Sequence, residues 1–153
     1  MSLSEAQVQH LRDSWAKVDA KTNGDYGDTG VVMFVRLFSE NPELIPIFPF
    51  ASGDIEKIQT SPRVRKHGKS VMGMVATAVA GLGDLDALVV ALTDLGKRHK
   101  TYKATPAHFP PVGAALLYAL GQALGDEFTP DVKEAWVTVF GIITTVMSAA
   151  LTS

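Results

Sequence analysis

The chain has 153 residues, 46% hydrophobic and 20% charged, with a formal net charge of −2. That length suits one domain with a sizeable core, and the composition excludes disorder. The near-neutral charge gives no general attraction to nucleic acid or an anionic membrane. The chain contains no cysteine, so disulfides, thiol catalysis, iron–sulfur clusters and cysteine zinc sites are ruled out together. This fits a reducing compartment.

The N-terminal sequence shows neither a secretory signal nor a myristoylation pattern. The longest weakly polar stretch, Val71 to Gly83, is too short to span a bilayer. These features together predict a cytoplasmic protein.

Taken in chain order, the pattern is helical nearly throughout. Ser4-x-x-Gln7 is a capping box, followed at helical spacing by Val8, Leu11, Trp15 and Val18. Lys21 to Asp28 is rich in Gly, Asn and Asp and reads as a loop. Val31, Phe34, Val35 and Phe38 form the apolar face of a second helix that ends near Asn41-Pro42. Pro42 to Pro49 reads as a short, irregular apolar corner carrying Phe48. Three later helices start with a hydroxyl residue before proline: Ser61-Pro62, Thr105-Pro106 and Thr129-Pro130. They are expected to run to about Leu82, Leu124 and Leu151, with a further helix at Leu85 to Lys100 between the first two. No strand alternation or repeat stands out, so residues 1–153 read as one all-α domain.

Two histidines carry the chemistry. His99 has Leu92 and Leu95 seven and four positions before it, on its own helical face. His67 lies 32 positions upstream and opens an apolar stripe of Val71, Met74, Val75 and Ala78. A lone histidine on an apolar face is more often a packed core residue than a ligand. Two on separate helices, facing one slot, would suit iron, copper or zinc. His10 and His108 read as surface or boundary residues. The chain has no His-Glu-x-x-His, phosphate loop or nucleophile elbow. Basic runs at Arg63–Lys69 and Lys97–Lys103 read as solvated faces that could also hold acid groups. An apolar slot with two axial nitrogens, Phe34 and Phe48 nearby and a basic mouth suits a haem.

Four segments in order bear a family resemblance across essentially the whole chain. They are Asn41-Pro42-Glu43-Leu44-Ile45-Pro46-Ile47-Phe48, Lys66-His67-Gly68-x-x-Val71, Leu95-x-x-x-His99-Lys100, and Phe109 to Leu120 with Leu116-Leu117-Tyr118. Here the chain resembles the globins, and within them the hexacoordinate, neuroglobin-like branch. The resemblance implies a three-over-three helical sandwich around haem b, iron protoporphyrin IX.

By the same resemblance, His99 is the proximal iron ligand, its other ring nitrogen donating to a carbonyl near Leu95. His67 is the distal histidine and the sixth ligand when no gas is bound. Phe34, Phe48, Val71, Leu95 and Phe109 line the pocket. Ser70 stands where that branch carries a lysine near a haem propionate, and Ala51 stands where many globins have a second corner phenylalanine.

The implied function is reversible binding of dioxygen and other diatomic gases, for storage, transport or sensing. The alternative is a haem redox enzyme such as a nitric-oxide dioxygenase or nitrite reductase. Because the chain has no room for a fused reductase domain, turnover would require an external reductase. The sequence leaves oligomeric state open.

Overall fold

The computed structural model describes residues 3–49, 51, 54–101 and 104–152. Seven α-helices are found among them: α1 (Glu5–Thr22), α2 (Gly27–Glu40), α3 (Ile55–Thr60), α4 (Pro62–Ala80), α5 (Leu85–Thr101), α6 (Phe109–Leu124) and α7 (Pro130–Leu151). Short 3-10 turns occupy Pro42–Ile47, Gly81–Gly83, Pro106–His108 and Gly125–Glu127. One layer holds α1, α4 and α5, and the other holds α2, α6 and α7. Across the layers α4 lies on α2, α5 on α7, and α1 on α7.

The helix starts follow from local chemistry. Ser4 Oγ accepts the Gln7 N–H at 3.1 Å, and the Gln7 side chain accepts the Ser4 N–H at 3.0 Å, closing the capping box. Ser61 and Thr129 cap α4 and α7 by accepting the N–H of Val64 and of Val132, each followed by proline. The loop after α1 is shorter than its composition suggests. It turns through Asn23 and Gly24, both left-handed (φ 52° and 74°), and α2 begins at Gly27.

Four expectations are revised. First, the buried stripe of α2 is Gly30, Met33, Phe34, Leu37 and Phe38, while Val31 and Val35 are only half-buried. The stripe is rotated because the closest contact of α2 is made by a glycine, which an apolar-residue count does not see. Second, the corner after α2 is a regular 3-10 turn with Leu44 buried. Third, α3 follows it, a short helix that the sequence reading passed over. Asp54 caps α3 by accepting the Lys57 N–H, and only Ile58 is fully buried. Fourth, α6 starts at Phe109 and not at Pro106. Pro110 and Pro111 lack N–H groups and can occupy only a first helical turn, so a separate 3-10 turn precedes them.

The core has its anchor where α1 meets α7. Trp136 Nε1–H donates to Ser14 Oγ at 2.9 Å, with both residues buried. Ser14 Oγ in turn donates to the Leu11 carbonyl at 3.2 Å. The Trp15 ring lies 5.3 Å from that of Tyr26 and 6.1 Å from that of Trp136. By length and composition α7, with 22 residues, could also cross a bilayer, which the sequence reading did not recognise. Here its apolar residues Val132, Ala135, Trp136, Val139 and Met147 pack into the core.

Candidate functional site

Glycine contacts seat the two helices that carry the histidines. In α4, Gly68 lies against Gly30 of α2 so closely that a Cβ added to Gly68 would sit 2.7 Å from Gly30 Cα. Nothing but backbone fits at this crossing. It falls one residue after His67 and fixes how far that side chain stands from α2. In α5, a Cβ on Gly96 would sit 2.7 Å from Ala150 Cβ and 3.0 Å from the Met147 carbonyl. That contact presses α5 onto α7 three residues before His99. An ion-pair clamp adds to the α4 seating: Arg65 pairs with Asp28 and, at 3.0 Å, with Asp25.

Between these helices lies a cavity of about 520 Å³, within the roughly 300–1,000 Å³ of cofactor-sized sites. His67, Ser70 and Val71 reach it from α4 and His99 from α5, while Phe34, Phe48, Phe109 and Val112 supply apolar wall. Of the residues expected at the site, only Leu95 is absent from the cavity lining among the described residues. Its side chain packs against the core, and its carbonyl accepts from His99 Nδ1 at 2.8 Å. A carbonyl can only accept, so His99 carries a proton on Nδ1, which leaves Nε2 of the neutral ring as the nitrogen suited to binding a metal. The bond runs one helical turn back, as the resemblance implied.

Aromatic rings crowd the other side. Phe34 and Phe48 meet edge to face at 6.1 Å, and Phe38 meets Phe48 at 5.2 Å. The His67 ring stands edge to face with Phe34 at 6.2 Å. Solvent reaches His67 through the cavity mouth, yet the protein around it withdraws enough water to hold its pKa below the ordinary histidine value. The nearby ionisable ring of His99 acts in the same direction. Both influences favour the neutral imidazole.

The mouth differs from expectation. Ser70 lines the cavity, but its hydroxyl donates to the Lys66 carbonyl of its own helix at 3.2 Å. Arg63 and Lys66 line the cavity as cations; of the two readings of their basic run, a solvated face or a hold for acid groups, the cavity wall suits the second. His108, read as a boundary residue, is half-buried in the same wall. Met33, Ile47 and Pro49 also contribute, and their position just beside the Phe34 and Phe48 landmarks was the available signal.

Comparisons with known proteins agree with this architecture. The globin family model matches residues 31–147. Neuroglobin from Danio rerio is 33% identical over 148 residues, covering 95% of this chain and 91% of the relative. Neuroglobin from Chaenocephalus aceratus is 34% identical over the same span. A hexacoordinated heme protein from an anhydrobiotic tardigrade, solved at pH 4, superposes with a TM-score of 0.88 at 20% identity, covering 99% of this chain and 96% of that one. With its two layers of helices, its cavity between α4 and α5 and these relatives, the chain belongs to the globin family.

Proposed function

We propose that this globin holds haem b between His99 and His67 and reversibly binds dioxygen or another diatomic gas. The observation that carries the proposal is a pair of imidazoles, from two separate helices, in the wall of one largely apolar cavity. The cavity's chemistry suits the group: imidazole nitrogens for iron, aromatic and aliphatic wall for a flat ring, and cations at the mouth for its carboxylates. With no cysteine in the chain, the macrocycle would be held without thioether bonds. When bound, haem supplies an iron with a position open to small diatomic ligands.

The protein's part is positional. His99, oriented by the Leu95 carbonyl, would be the fixed ligand. Phe34, Phe48, Val71 and Phe109 would pack on the ring and keep water away. Arg63 and Lys66 would take the carboxylates, the role a charged residue at position 70 would otherwise have. His67 would have two uses. Its N–H can donate to a guest carrying partial negative charge, a bond of about 1.5–3 kcal/mol. Its lone pair can instead take the sixth iron position when no guest is present, lowering observed gas affinity by the fraction of protein so closed. The neuroglobin relatives and the hexacoordinated structural neighbour support this second use. We assign the protein to the cytoplasm, in keeping with its cysteine-free sequence.

Titrating the purified chain with hemin tests the reading. One haem per chain should bind with a sharp Soret band, and His99→Ala should lose most of it. A wild-type chain without a Soret band after haem addition would overturn it.

A further inference from the structure

The cavity wall holds a third histidine without a part in the function just described. His108 closes the 3-10 turn before α6 and lines the cavity that His67, His99, Arg63 and Lys66 also line. Its Nδ1 accepts the Thr105 N–H at 3.1 Å, and its backbone N–H donates to the Thr105 carbonyl at 3.0 Å. The backbone bond closes the turn, and the Nδ1 bond sets the ring's orientation from that turn, before any ligand arrives. A ring nitrogen that accepts carries no proton, so the neutral imidazole has its hydrogen on Nε2. The ring therefore brings to the cavity wall an N–H donor in a preset orientation.

We propose that His108 Nε2–H donates a hydrogen bond to a carboxylate on the rim of the cofactor. The inference rests on the haem reading above. Methyl and vinyl groups on a haem rim accept nothing, so its two carboxylates are the only acceptors that such a donor can serve. Arg63 and Lys66 approach from α4, the helix of His67. His108 approaches from the segment after α5, the helix of His99. The carboxylate edge is then held from both histidine-bearing sides of the cavity.

Haem and its dimethyl ester, compared in the same proteins, test this. Each is loaded into wild type, His108→Phe and His108→Asn, and loss is timed by transfer to excess apo-acceptor globin. Asparagine keeps an oxygen able to accept the Thr105 N–H but is too short to replace Nε2. Both variants should lose haem about tenfold faster than wild type, the worth of one charge-assisted hydrogen bond. With the ester the variants should differ from wild type less than about twofold.

Equal acceleration with haem and ester would make His108 a purely structural residue and overturn the proposal. So would unchanged haem loss in both variants. Nitrogen NMR of the haem-loaded wild type supplies a readout independent of loss rates: it should find the His108 proton on Nε2, and a proton on Nδ1 would equally refute the assignment. A chain that takes up no haem at all fails at the earlier reading and overturns both.

Discussion

Gly68 of α4 meets Gly30 of α2 backbone to backbone, one residue beyond His67. His67 is therefore held by a helix crossing with no side chain at its centre, and its place over the cavity depends on two missing Cβ atoms. Gly96 plays the same part for His99 against α7.

Gly30→Ala tests the crossing. Alanine should gain about 1 kcal/mol of helix propensity. Overpacking costs about 1–3 kcal/mol even where side chains can yield, and here the opposing atoms are backbone. The overlap should win, with a net loss of about 1–2 kcal/mol in urea unfolding and an altered His67 signature in the haem spectrum. A more stable variant with an unchanged spectrum would show that the crossing does not hold His67.

Ser14→Ala separates stability from function. It leaves the buried Trp136 N–H without its acceptor, at a cost of about 1–3 kcal/mol. Since Ser14 lies on α1, outside the cavity wall, chemical denaturation should shift while the haem spectrum stays unchanged.

His99→Ala should be rescued in part by added imidazole. The substitution removes the ring whose Nδ1–H is held by the Leu95 carbonyl and leaves room for a free imidazole in its place. Haem retention should rise with imidazole concentration in the variant and stay flat in wild type. No rescue would argue that His99 serves packing alone.

Asp25 gives a pH signature. The Gly27 N–H, and then the Arg65 charge, hold its carboxyl below the ordinary aspartate value of 3.8. A lowered folded pKa means that the stabilisation is complete above the unfolded value and is lost as pH falls through the folded one. Asp25→Asn should thus unfold at a less acidic pH than wild type on the neutral side of that window. The two should converge in stronger acid. Because the group is fully exposed, the difference should be small and weaken with salt.

The helix starts were legible because Ser4, Ser61 and Thr129 each announce themselves by a side-chain cap, two of them before proline. His67, His99, Phe34 and Phe48 were legible because an imidazole or a large ring at helical spacing is rare and chemically specific. The rest turned on contacts that leave little trace in a residue pattern. Gly30 and Gly68 matter for what they lack. α3 has one fully buried residue and too few turns for a period to emerge. His108 looks like a surface or boundary residue in the sequence; the fold brings its turn to the wall of the cavity that Arg63 and Lys66 also line.

The ferrous, gas-free absorption spectrum of the haem-loaded protein, taken beside that of His67→Leu, tests the central claim most directly. The account predicts sharp, split visible bands in wild type, from iron held by both His99 and His67, and one broad band in the variant. One broad band in both proteins would contradict it.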